Sequence, residues 1–172
     1  MNKEDLINRL LSLDFDASLK YDKTKGKINC FIVGGGALIL MGYIPRATHD
    51  IDIINKMPKE ITPLMSKYDM NINAISYYDH FADDFYSRAI KLDLNTEIID
   101  YYTLSLEDLV VSKLASGRLT DEQDINQPSV VNNINWDKLD ELVNLTIEGM
   151  ISDFRANELK YFYNEYRKKY GK

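Results

Sequence analysis

The chain has 172 residues, 45% hydrophobic and 28% charged, and a chain of that length buries roughly 70% of its unfolded surface without a disulfide or metal staple. One cysteine, Cys30, rules out an internal disulfide and fits a reducing, cytoplasmic setting, and 21 basic against 27 acidic residues give a net charge of −6, which argues against a broad electrostatic grip on nucleic acid. The opening MNKEDLINRL lacks the apolar core of a signal peptide, and FIVGGGALILMGYI is too short and too glycine-rich to cross a bilayer, so no membrane partner is expected.

Taken in chain order, Glu4 to Leu19 sets Leu6, Leu10 and Leu13, with Ile7 and Leu11, at helical spacing, which predicts an amphipathic helix. Ile28 to Val33 is a short β-branched and aromatic run that predicts a buried strand. It ends in Gly34-Gly35-Gly36, and Ala37 to Met41 reads as the first turns of a buried helix. Ile51, Ile53 and Ile54 interleaved with Asp50 and Asp52 predict a second strand. Pro58 and Pro63 mark a loop and a helix start. Asn71 to Leu94, with Tyr77, Tyr78, Phe81, Phe85 and Tyr86, reads as helix or as aromatic-rich strand. Glu97 to Tyr102 is strand-like, and Ser105 caps a helix with Glu107 and Asp108 in its first turn, ending near Gly117. Two further helices follow Trp136, one carrying Leu139, Leu142, Val143 and Ile147, the other Phe154, Leu159, Phe162 and Tyr166, with Gly149 between them. The layout is an α/β (α+β) core over residues 1–128 and a C-terminal helical extension over 129–172.

The chemistry concentrates in IVGGGALILMGYIPRATHDIDII, residues 32–54. Glycines let a phosphate approach the backbone without a Cβ clash, and the helix that follows offers free N–H groups. Asp50 and Asp52, at i and i+2 on a strand, point to one face and can share one Mg²⁺ or a pair. Two acids on one face amid isoleucines repel each other unless a cation lies between them. His49, their odd neighbour, points the other way and is read as a packing or edge hydrogen-bonding residue. Tyr161, Phe162, Tyr163, Tyr166 and Tyr170, with Arg155, Lys160, Arg167, Lys168 and Lys169, make an aromatic-basic terminal helix. Such a helix can stack on RNA, but a solvated helix that packs one face is the preferred reading.

Val33-Gly34-Gly35-Gly36 followed by Asp50-Ile51-Asp52-Ile53 resembles the signature of the nucleotidyltransferase superfamily of the DNA polymerase β type: hG[GS], a spacer of about ten residues, then Dh[DE]h. The run Arg46, Thr48, Asp50, Asp52 is similar to the abortive-infection toxin-like nucleotidyltransferases and related bacterial domains. Many active superfamily members place a serine after the first glycine; here only glycines stand there. The stretch Ser105 to Ile125 resembles the K-L-x-x-x-R-x-x-D-x-x-D-h segment of the same branch, with Lys113, Arg118, Asp121 and Asp124 in the matching positions. A lysine beside a triphosphate can neutralise its charge; the plainer alternative is a solvated network of Lys113 and Arg118 with Asp121 and Asp124.

The resemblance implies a mixed sheet flanked by helices and Mg²⁺-dependent transfer of a nucleotide from an NTP to an acceptor hydroxyl. Asp50, Asp52 and a third carboxylate would hold one or two Mg²⁺, and Gly34, Gly35, Gly36, Arg46 and Thr48 would cradle the nucleotide with Lys113, Arg118, Asp121 and Asp124. Asp100 is ranked first for the third carboxylate, with Glu97 and Asp93 as alternatives. The acceptor would be an RNA such as tRNA or a protein, in a toxin or phage-defence setting with an antitoxin partner. The alternative is a catalytically degenerate member that acts as a binding or interaction protein.

Overall fold

A computed structural model describes all 172 residues. The chain divides into two compact units, one formed by residues 1–76 and 89–104, the other by 77–88 and 105–172. The boundary expected at 128/129 therefore falls inside the second unit. No helix is long and apolar enough to cross a membrane.

The first unit opens with α1 (Lys3–Ser18). Asn2 and Asp5 cap it reciprocally, each side chain accepting the other's backbone N–H at 2.9 Å. Its fully buried stripe of Leu6, Leu10, Leu13 and Ala17 is the one the spacing predicts. Then come β1 (Ile28–Val33), α2 (Gly34–Leu40), β2 (Ile51–Ile53), α3 (Thr62–Met65), β3 (Met70–Asn71), β4 (Ile90–Lys91) and β5 (Ile99–Thr103). The three glycines are not a linker ahead of α2 but its first turn. The strands form one mixed sheet in the order β3-β2-β1-β5-β4. β1 runs antiparallel to β2 and parallel to β5, β2 is parallel to β3, and β4 is antiparallel to β5.

Cross-strand partners share a face, so the registers sort the sheet into two sides. Ile28, Cys30, Ile32, Ile51, Ile53, Ile99 and Tyr101 share a buried side, on which α1 and α2 pack. Asn29, Phe31, Val33, Asp52, Asn71, Asp100 and Tyr102 share the other, with Phe31 and Tyr102 stacked at 4.9 Å between ring centres. Asp14 of α1 ties helix to sheet. Its buried carboxylate accepts the N–H groups of Glu97, Ile98 and Ile99 at 2.7–2.9 Å, satisfying the entrance of β5.

The second unit is helical: α4 (Leu106–Ser116), α5 (Leu119–Ile125), α6 (Pro128–Val131), α7 (Trp136–Gly149) and α8 (Asp153–Lys169). Residues 77–88 add short 3₁₀ turns, so the aromatic middle of the chain is neither the regular helix nor the strand its spacing allows. Ser105 caps α4 as expected, its Oγ accepting the Asp108 N–H at 3.1 Å, and Gly117 ends that helix in the left-handed region at φ +61°. Asp108 is fully buried, gripped by the Arg88 guanidinium through two hydrogen bonds of 2.8 and 2.9 Å. α4 packs on α7 and α8 through Leu109, Val110, Leu139, Leu142, Val143 and Leu159. Phe154, expected on the packed face of α8, is instead exposed, and Phe162 is half-exposed.

Candidate active site

The Asp50–Asp52 pair is built by β2 and its neighbours. Asp52 is the central residue of β2, flanked by the fully buried Ile51 and Ile53, and pairs with Val33 at the end of β1 and with Asn71 of β3. Asp50 lies immediately before β2, exposed, and its Oδ2 accepts a hydrogen bond from the Asn71 Nδ2 at 3.2 Å. Asp50, Asp52 and Asn71 thus meet on one face at the end of the sheet where α2 begins. Asn71 went unread in the sequence, because an isolated asparagine in an irregular segment carries no signal.

The glycine turn is the floor of this place. Gly34 has φ +66°, a conformation that L side chains rarely adopt, and a Cβ there would lie 3.2 Å from the Asp52 Oδ2. A Cβ on Gly35 would lie 2.6 Å from Nη2 of Arg46, so the guanidinium rests directly on that glycine. A side chain at this position would displace the Arg46 guanidinium. Arg46 also donates from Nη1 to its neighbour's carbonyl, Ala47 O, at 3.1 Å. Thr48 is buried, with its Oγ1 donating to the Asp50 carbonyl at 3.2 Å and its N–H to Met1 O at 3.1 Å. Its place is a brace that holds the approach to Asp50. Gly36 faces the Asp50 carbonyl and Ile32, at ordinary contact distance for an added Cβ.

The third carboxylate does not join this pair. Parallel pairing of β1 and β5 sets Asp100 beside Asn29, whereas Asp52 stands beside Val33. Four residues along a strand amount to about 13 Å. Asp100 is instead held by Lys27 and Lys91 at 3.1 and 2.7 Å. Burial pushes its pKa up, but the hydrogen bonds from Lys91 and Lys27 outweigh that and hold the carboxyl below its usual range. Of the alternatives, Glu97 precedes β5 and pairs with Lys23, and Asp93 is exposed in the segment between β4 and β5. The residue that follows β5 towards the pair is Leu104, fully buried. No group of three or more His, Cys, Asp or Glu side chains gathers anywhere in the chain to hold a metal.

The donor chemistry still suits magnesium. Two carboxylates on one face are the protein's usual share of a Mg²⁺ site whose remaining positions fall to water and phosphate. Asp50 and Asp52 are the residues here that would hold the ion.

The second constellation, in the helical unit, is built differently. Lys113 is 4% exposed and its Nζ is shared by Asp121 and by Asp124 at 2.9 Å; Asp124 is itself 2% exposed. The Ser116 Oγ lies 2.5 Å from the other oxygen of Asp121 and 3.0 Å from the Lys113 carbonyl, each an acceptor for its one proton. The network is therefore buried, not the solvated surface cluster that spacing alone allows. Arg118 stands apart from it: exposed, with its guanidinium 5.6 Å from the Tyr77 ring centre. His80 is buried near Asp79, Arg155, Arg118 and Asp121, and burial is the main cause that lowers its pKa. His49 is exposed. Cys30, fully buried, has its thiol pushed far up by burial and is inert packing.

Comparison with curated proteins and with solved structures gives no match in either. A family model does match, over residues 8–171, and so takes in both the aspartate pair on its glycine floor and the buried lysine network. On that match the chain belongs to the family described as nucleotidyltransferase of unknown function (DUF6036).

Proposed function

We propose that the protein transfers a nucleotide from an NTP to an acceptor hydroxyl, using Asp50 and Asp52 as the metal-holding pair. The observation that carries this reading is the shared face of the two carboxylates against the Gly34 turn. In the transfer, the acceptor oxygen attacks the α-phosphorus, the α–β anhydride bond breaks, pyrophosphate leaves, and the hydroxyl proton passes to solvent. Magnesium, when bound, would neutralise the triphosphate and lower the pKa of the attacking hydroxyl. Arg46, resting on Gly35, offers a planar fork of donors to phosphate oxygens. Asn71 orients Asp50, and Thr48 fixes the backbone from which Asp50 projects. Lys113, bound by two aspartates, serves this chemistry as framework. An RNA such as tRNA, or a protein, is the acceptor class proposed, in a toxin or phage-defence role with an antitoxin as partner.

The test is transfer of label from each α-³²P NTP, with Mg²⁺, to total RNA and to protein. Label in an acceptor with release of pyrophosphate, lost in Asp50→Ala/Asp52→Ala, is the expected result; no transfer in any combination overturns it. One observation favours a second reading, a degenerate member that binds nucleotide without transferring it: Asp100, ranked first for the third carboxylate, pairs beside Asn29 and is held there by Lys27 and Lys91. Mg²⁺-dependent NTP binding without transfer would select that reading.

A further inference from the structure

The helical unit contains a cavity of about 390 Å³ between the end of α4, α5 and α8. That is within the range of small-molecule sites. Its aromatic wall is Tyr161 and Phe162, 63% and 37% exposed, with the buried Tyr166 behind them. Phe162 owes its position to Gly117, where a Cβ would come within 3.2 Å of the ring. Besides Lys113, already held by its two aspartates, four charged side chains complete the lining. Arg118 and Lys169 form no ion pair; Lys169 donates to the Asn126 side chain at 2.8 Å. Glu122 and Glu165 likewise form none.

This mosaic has a definite complement. Rings left half-open take a planar aromatic group by stacking. Two cations without ion pairs take an anion. Two carboxylates accept N–H donors and repel carbonyl edges. A single molecule that offers a planar ring, exocyclic amino donors and a phosphate is a nucleotide with an amino-bearing base. We propose that this cavity is a nucleotide-binding site of the helical unit, independent of the transfer reading, that takes one unpaired adenine- or cytosine-type nucleotide. The base stacks on Tyr161, with Phe162, whose ring plane stands at 66° to that of Tyr161, at its edge; its amino group faces Glu122 and Glu165, and the phosphate meets Arg118 and Lys169. The same chemistry is presented by a free mononucleotide and by the end of a single strand.

Trp136 gives a built-in reporter, since its ring centre lies 5.5 Å from that of Tyr166. The full chain is titrated with AMP, UMP, L-tyrosine and the 5′-phosphorylated trinucleotide AAA, without divalent cation, and read by Trp136 fluorescence and calorimetry. AMP is expected to bind at least tenfold tighter than UMP. Tyr161→Ala, at an exposed position that leaves the fold intact, weakens AMP about tenfold by loss of stacking, and Glu165→Gln narrows the AMP/UMP ratio. Asp50→Ala/Asp52→Ala leaves AMP binding unchanged, which separates this site from the aspartate pair whatever the outcome for Mg²⁺-dependent NTP binding. A trinucleotide tighter than AMP identifies a strand end as the source, and equal affinity a free nucleotide. Equal binding of UMP, preference for tyrosine, no binding of AMP, or loss of AMP binding in the aspartate variant overturns the proposal.

Discussion

The two regions where this chain concentrates charge use it in opposite ways. At the end of the sheet, Asp50 and Asp52 stand exposed and half-buried on a floor of glycine. In the helical unit, Lys113, Asp121 and Asp124 are turned on one another, with Lys113 and Asp124 almost wholly out of water. A buried ion network is costly to break and adds little over an apolar core. An acidic pair at a strand end adds little to stability, and in the proposed function its use lies in what it binds. The difference teaches that two motifs alike in sequence as clusters of charge are built in opposite ways, one buried and paired, the other open; we read the first as framework and the second as the proposed site.

Substitutions can break that division or sharpen it. The largest effect is expected at Lys113→Met, which leaves Asp124 buried without its cation and should cost about 3–5 kcal/mol in chemical denaturation. Converting Asp121 and Asp124 to Asn in the same chain should recover most of it; a cost below about 1 kcal/mol for Lys113→Met would show that the network is not framework. Next comes the glycine floor. Gly34→Ala forces a side chain into the left-handed region and against Asp52, for about 1–2 kcal/mol. Gly35→Ala meets only the far end of the Arg46 side chain, which can swing away, so its melting temperature should match the wild type. Equal loss in both variants would contradict the picture of Arg46 resting on an otherwise unstrained glycine.

A pH series isolates the helical unit. His80 has a lowered pKa in the fold, mainly through burial, so it favours folding in its neutral form. Its contribution is fully present above the unfolded value of about 6.5 and is lost as pH falls from there toward the folded pKa. His80→Gln should flatten that part of the stability profile, measured by denaturation between pH 7 and 5; an unchanged slope would rule His80 out as its source. The smallest effect belongs to Asp50→Asn, at an exposed residue whose side chain bonds Asn71, which should stay within about 0.5 kcal/mol of wild type.

Much of this architecture was legible before any coordinates. The 3.6-residue spacing of Leu6, Leu10 and Leu13, the β-branched run from Ile28, and the Ser105 cap with its Gly117 stop are local signals, and each marks an element of the structure. The short 3₁₀ turns over 77–88 were not legible, because aromatic spacing there serves a cluster, Tyr78, Phe81, Phe85 and Tyr86, and no regular element. The pairing of Asp50 with Asp52 follows from strand alternation. What lies beside them depends on register, which a single sequence does not encode: Asp100 beside Asn29, Asn71 beside Asp52 and Leu104 beyond the end of β5 are all facts of strand pairing. The contact of Arg46 with Gly35 is likewise tertiary.

The most direct test of the central claim is a calorimetric titration of the wild-type chain and of Asp50→Ala/Asp52→Ala with each NTP, with and without Mg²⁺. The account predicts that at least one NTP binds the wild type in a Mg²⁺-dependent manner and that the double variant loses this binding by tenfold or more. No Mg²⁺-dependent binding by the wild type, or equal binding by the variant, would contradict it.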